Sequence, residues 1–164
     1  MNDNNNDNDI FSEETPSISR PLAAFNKFYK EIHDIYHEMS VNAGLSDSSF
    51  DILYSIFELG DGCLQSDIRR ISFLPKQTIN SSIHKLEKDG YIYFSNGRGR
   101  TKHINLTEEG KILIQEKIYP VIKCENNSFS LLDKEEQILL LNVSDKYSKA
   151  LRNEFNKLKN TRRR

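Results

Sequence analysis

The chain has 164 residues, 37% of them hydrophobic and 29% charged, with a formal net charge of −1. This suffices for one globular domain with a real core, and no stretch reaches the ~18–20 apolar residues of a membrane span. Two distant cysteines, Cys63 and Cys124, argue against a disulfide framework, and the Asn/Asp-rich opening lacks the form of a secretory signal, so a reducing, cytoplasmic setting is expected.

Residues 1–16 are polar and of low complexity, carry Asp3, Asp7, Asp9, Glu13 and Glu14 without a Lys or Arg, and read as a disordered acidic tail. From Ile18 the positions Leu22, Phe25, Phe28, Tyr29, Ile32, Ile35, Tyr36 and Met39 follow helical spacing, which predicts a long amphipathic helix over about 18–40. Pro21 falls in its first turn, where a missing N–H is harmless, and Asn42-Ala43-Gly44 stops it. Ser46 or Asp47 can cap a second helix that runs through Leu59, and Gly60-Asp61-Gly62 ends it. A short helix over about Ser66–Ile71 follows, then a turn, then a helix from near Pro75 to Gly90. Strands Tyr91–Ser95 and Thr101–Leu106 flank Asn96-Gly97-Arg98-Gly99-Arg100, a glycine-bearing hairpin loop. Thr107 caps a helix carrying Ile112, Leu113, Ile114 and Ile118, which Pro120 kinks or ends. The last helix opens on Asp133-Lys134-Glu135-Glu136, of capping-box form, and continues to about 159 before a basic tail at 160–164. The fold class is therefore mainly α with a small β-hairpin wing, in one domain over 17–159.

Net charge hides a segregation. Between Leu64 and Leu106 there are eight basic residues against three acidic ones. On a helical wheel Ile79, Ile83 and Leu86 form one apolar stripe, while Gln77, Ser81, His84 and Lys88 point the other way, flanked by Lys76, Asn80 and Lys85. Side-chain amides can read adenine edges, whereas cations and hydroxyls hold phosphates or guanine. Gln77, Asn80 and Ser81 are accordingly the expected base readers, and Lys76, His84, Lys85 and Lys88 the expected backbone contacts. A plain solvated helix face would also be polar. The hairpin tip favours nucleic acid, because Arg98 and Arg100 sit beside glycines with no local carboxylate, followed by Lys102 and His103. Arginines at such a tip fit a narrow minor groove. A helix-turn-helix followed by a cationic wing thus points to double-stranded DNA as partner. The alternative is a winged-helix module for protein–protein interaction, whose exposed face would carry aromatic anchors instead.

The same residues carry a family resemblance. The stretches FDILYSIFELGDGCLQSDI, LPKQTINSSIHKLEKDGYI and INLTEEGKILI resemble the winged helix-turn-helix of the MarR family of transcriptional regulators, most strongly from Phe50 to Ile114. Thr78 early in the recognition helix, Leu86-Glu87-Lys88-Asp89-Gly90-Tyr91-Ile92 at its exit, and Leu106-Thr107-Glu108-Glu109-Gly110 after the wing all agree with it. The family's wing commonly carries Asp-x-Arg. Here the acidic member is missing, so Arg98 and Arg100 both stand as groove-inserting candidates. Pro75 stands where a capping Ser is frequent, which suggests entry by proline at the first helical position. The resemblance implies a winged helix-turn-helix core over about 47–114 and dimerisation helices at about 18–40 and 133–159. It implies a cytoplasmic, nucleoid-associated homodimer that represses at a pseudo-palindromic operator. It also implies a small-molecule effector cleft, to which Tyr29, His33, Tyr36 and Phe50 could contribute.

Other chemistry is sparse. His33 and His37 are spaced i, i+4, a spacing that can chelate a metal, but no second ligand cluster accompanies them, so no metal or other cofactor is expected. Cys63 and Cys124 read as buried or partly buried thiols. No phosphate loop, GxSxG, HExxH or supported Cys-His arrangement occurs, and an enzyme is not expected. The basic end formed by Lys157, Lys159 and Arg162–Arg164 reads as a solvated tail.

Overall fold

A computed structural model describes residues 16–97 and 101–161. The elements are α1 (Arg20–Asn42), α2 (Asp47–Leu59), β1 (Cys63–Leu64), α3 (Gln65–Ile71), α4 (Lys76–Lys88), β2 (Ile92–Asn96), β3 (Lys102–Leu106), α5 (Glu108–Leu113), a π-helical turn (Ile114–Ile118), α6 (Tyr119–Phe129) and α7 (Lys134–Thr161). The expected acidic tail at 1–16 lies outside the described residues except for Pro16; of the expected basic tail at 160–164, Asn160 and Thr161 continue α7 and 162–164 lie outside the described residues. The chain forms two compact units, one ending at Asp47 and one beginning at Ser48.

In the first unit, Ser19 caps α1 by accepting from the Leu22 N–H at 3.4 Å, with Pro21 in the first turn as expected. At the other end a polar cluster closes the turn into α2. The buried Ser40 hydroxyl donates to the Asp47 carboxylate and stands 2.8 Å from the His37 carbonyl. His37 Nδ1 lies 2.9 and 3.0 Å from the two Asp47 oxygens. The Ser40 hydrogen bond holds the Asp47 carboxyl below the ordinary carboxylate range against the opposing effect of burial, and His37 adds to the lowering.

The second unit is centred on an isoleucine-rich core. Ile52, Leu53, Ile56, Ile68, Ile79, Ile83, Leu86, Ile92, Ile104 and Ile118 are all buried to 2% exposure or less. They come from α2, α3, α4, the sheet and the π turn, so the helix-turn-helix and wing share one core. Two polar contacts register its helices: the Ser82 hydroxyl donates to Ser48 Oγ at 2.8 Å, and the Tyr54 hydroxyl to Glu125 at 2.7 Å.

The sheet is antiparallel with order β1-β3-β2. The sequence predicts two strands; Cys63–Leu64 forms a third, pairing Cys63 with Ile104 and Leu64 with His103. Two residues are too few to show the alternation by which a strand is recognised. Three contacts tie this edge to β3. The Gly62 N–H donates to the Ile104 carbonyl at 3.0 Å, the Leu106 N–H to Asp61 at 2.8 Å, and His103 Nδ1 to the Gly62 carbonyl at 2.6 Å.

Thr107-Glu108-Glu109-Gly110 joins wing to helix by short contacts. Thr107 Oγ1 donates to the Gly90 carbonyl at 2.7 Å and accepts from the Gly110 N–H at 3.0 Å. Gly110 is there for space: a Cβ on it would stand 1.9 Å from the Tyr91 carbonyl oxygen. Beyond it the helical run does not end at Pro120. It widens into the π turn Ile114–Ile118 and resumes as α6, which absorbs the proline's missing N–H one turn before it is felt. The capping box of α7 forms reciprocally, Asp133 N–H to Glu136 and Glu136 N–H to Asp133, each at 2.9 Å.

Candidate nucleic-acid interface

The first turn of α4 is entered through Pro75 as the N-cap, not as the first helical residue, and no side chain caps the N–H groups there. The wheel assignment holds along the helix. Ile79, Ile83 and Leu86 are 1% exposed, and Gln77, Ser81, His84 and Lys88 are exposed on the other side with Lys76 and Lys85. Thr78 and Asn80 are half-buried.

The exposed cations are not equivalent. Lys85 Nζ lies 2.7 Å from Asp89, and His84 Nδ1 lies 3.4 Å from Glu87 with its ring against Phe94, 6.4 Å between centroids. Lys76 and Lys88 make no ion pair among the described residues, so their ammonium groups are the ones available to an anion without losing an internal partner. Ser81 Oγ donates to the Thr78 carbonyl at 3.0 Å, which leaves its lone pairs outward.

A recess beside this face was not anticipated from the sequence. Gln65, Ser66 and Arg69 of α3 line it together with Lys76, Ile79 and Asn80 of α4. Gln65 Nε2 donates to Asn80 Oδ1, so the Asn80 amide is held with its NH₂ group free to donate. The signal was available: Gln65 and Arg69 are spaced i, i+4 on a short helix whose buried residue is Ile68, which puts them on one open face.

In the wing, β2 and β3 pair from Ile92↔Leu106 to Asn96↔Lys102, and the Gly97 N–H donates to the Thr101 carbonyl at 2.8 Å. Lys102 Nζ sits 5.5 Å from the Phe94 ring centroid, at the base of the loop. Arg98 and Arg100, the two candidate groove residues, lie outside the described residues.

The remaining candidates fall elsewhere. Tyr29, His33 and Tyr36 lie along α1 and are exposed, whereas Phe50 on α2 is 3% exposed. No group of three or more His, Cys, Asp or Glu among the described residues is arranged to hold a metal. Cys63 is buried, and desolvation pushes its thiol up to about 11, so it is a poor thiolate at neutral pH. Cys124, expected to be at least partly buried, is exposed on α6. No described helix is long and apolar enough to cross a membrane.

A short helix, a turn, a helix with a polar outer face and an antiparallel wing define a winged helix-turn-helix. The match to a known family agrees: residues 43–100 fit the model of the MarR family. Solved structures of MarR regulators share the fold over most of the chain. A MarR family regulator from Neisseria meningitidis aligns with a TM-score of 0.73 at 19% identity, covering 85% of this chain and 99% of that one. MepR of S. aureus, solved in complex with DNA, aligns at 0.64 and 20% identity, covering 82% and 99%. The PcaV transcriptional regulator of Streptomyces coelicolor, solved with its natural ligand, aligns at 0.62 and 14% identity, covering 84% and 99%. No curated protein matches the chain.

Proposed function

We propose that this chain is a sequence-specific, DNA-binding transcriptional regulator that acts as a homodimeric repressor on a pseudo-palindromic operator. The observation that carries the reading is the outer face of α4. Above a fully buried apolar stripe it presents Gln77, Asn80 and Ser81 with Lys76 and Lys88, groups suited to base edges and phosphates and not needed by the core. Lys102 and the adjoining Arg98 and Arg100 extend the same positive character into the wing. MepR, which shares the fold, was solved on DNA.

Dimerisation is supported by α1 and α7. Apolar side chains along both remain 38–66% exposed in the single chain, and a second copy would cover them. Two recognition helices would then address half-sites about one helical turn apart. Effector response rests on the fold shared with the ligand-bound PcaV regulator, with the exposed Tyr29, His33 and Tyr36 of α1 as contributors.

The test is selection of bound duplexes from a random library at two salt concentrations. An enriched inverted repeat is expected. Salt-sensitive retention without a motif would reduce the reading to backbone binding, and no retention would reject it in favour of a protein-interaction module.

A further inference from the structure

Between α3 and α4 the chain turns through Ser72-Phe73-Leu74-Pro75. Phe73 is the most exposed large apolar residue among those described, at 91%, and the one described non-glycine residue with positive φ, at 55°. Both features oppose folding. A left-handed backbone crowds the Cβ of any L-residue, and a bulky ring there is a clear outlier. A ring held in water returns no burial in exchange. Glycine or asparagine would remove both penalties, so nothing in the folded chain accounts for a phenylalanine here. Local rules are broken in this manner where a residue serves a contact made outside the chain.

The surroundings say what kind of contact. Lys76 follows three residues later, and Arg69 precedes by four; neither makes an ion pair among the described residues, and both line the recess beside Asn80. The first-turn N–H groups of α4 have no side-chain cap. Cations before and after Phe73 in the chain, and first-turn N–H groups left without a side-chain cap, suit phosphates, so the surface meeting Phe73 is polyanionic with apolar ground between its charges. A duplex offers such ground in its deoxyriboses and in the thymine 5-methyl groups of the major groove.

We propose that Phe73 is an apolar contact to DNA, packing on a thymine methyl or a deoxyribose at the edge of the groove that α4 enters. This rests on the DNA-binding reading above. The experiment compares wild type, Phe73→Asn and Phe73→Leu on the tightest duplex that the wild-type chain recovers from a random library, and on the same duplex with uracil replacing thymine. Melting temperature and the salt dependence of binding are read in parallel.

Phe73→Asn is expected to melt no lower than wild type, because the strain is relieved, yet to bind about tenfold more weakly, or about 1.4 kcal/mol. Phe73→Leu is expected to keep most of the affinity. The salt slope should be unchanged in both, since no phosphate contact is lost. Uracil weakens wild type but not Phe73→Asn where the ring packs on a methyl; it affects both proteins equally where the ring packs on a sugar. Wild-type affinity in Phe73→Asn overturns the proposal, leaves DNA binding standing and assigns the ring to a protein partner. A melting temperature well below wild type also overturns it, by making the ring structural. Recovery of no duplex by wild type removes the DNA reading and this contact with it.

Discussion

Helices α4 and α7 are both amphipathic, yet they finish in opposite states. In α4 the apolar stripe is closed: Ile79, Ile83 and Leu86 are 1% exposed, and Ser82 beside them is hydrogen bonded to Ser48. In α7, which is 28 residues long, every side chain from 134 to 160 is exposed except the half-buried Gln137. Its nine large apolar residues, from Ile138 to Leu158, are 40–63% exposed. The winged core is thus complete within one chain. The final helix carries large apolar residues that stay exposed among the described residues, and that difference sets a surface suited to pairing apart from the core that folds the protein.

Core substitutions should show the first half of this contrast most strongly. Ile83→Ala is expected to cost about 2–5 kcal/mol of unfolding free energy, because α4 is held among packed neighbours that cannot close the space. The loss should be the same at any protein concentration in a denaturant titration of the winged core. Gly110→Ala belongs beside it. A methyl 1.9 Å from the Tyr91 carbonyl oxygen must push α5 off the sheet, at an expected cost of about 3 kcal/mol, and circular-dichroism melting would register it. A melting temperature equal to wild type for Gly110→Ala would contradict the packing described at the wing exit.

Leu151→Ala should behave in the opposite manner. The side chain is 56% exposed, so folding of the single chain should change little. If α7 pairs with a second copy, the substitution removes apolar contact twice per dimer and should weaken association by about tenfold or more. Sedimentation at several concentrations measures this. Unaltered association in Leu151→Ala and Phe155→Ala together would move the pairing surface off α7.

How much of this contrast was legible beforehand depended on how each feature is encoded. The stripe Ile79, Ile83, Leu86 and the capping box Asp133–Glu136 are regular spacings, and both formed as read. Thr107 and Gly110 could be seen as a motif, but the reason for the glycine could not, since the oxygen that excludes a Cβ belongs to Tyr91. β1 escaped because its two residues have no period, and the π turn because its cause, Pro120, lies beyond its end. Phe73 escaped for a different reason: phenylalanine has no preference for positive φ, so nothing local announces it. In the interface the outward residues of α4 were legible from one helix alone. Their inequality was not, because Asp89, Glu87 and Gln65 decide which of Lys85, His84 and Asn80 are already engaged.

That inequality sharpens the comparison at the outer face of α4, the proposed DNA contact. Gln77→Ala and Asn80→Ala are expected to relax base preference by about 1–3 kcal/mol at one position per half-site. Lys76→Ala or Lys88→Ala should weaken all sequences alike and lower the salt slope by about one. Lys85→Ala should do less than either, because its ammonium already sits on Asp89 at 2.7 Å. Competition binding against single-base operator variants separates these classes. Equal losses for Lys85 and Lys88 would mean that the internal ion pair opens on binding.

The smallest effect concerns the turn from α1 into α2. Asp47 is depressed below the ordinary carboxylate range, first by the Ser40 hydrogen bond and then by His37. A carboxylate whose folded-state pKa is lowered stabilises the folded state above its unfolded value, and that contribution disappears as pH falls through the folded value. The acid side of the stability profile, below about pH 4, is therefore where this cluster acts. Asp47→Asn should flatten that limb while leaving the pH dependence above it nearly unchanged, and Ser40→Ala should flatten it partly. The Asp47 and His37 side chains are 52% and 58% exposed, so solvent screening keeps the effect small. Melting temperatures across the acid range would detect it, and an acid limb identical in Asp47→Asn and wild type would show that the turn is held by its backbone rather than by this carboxylate.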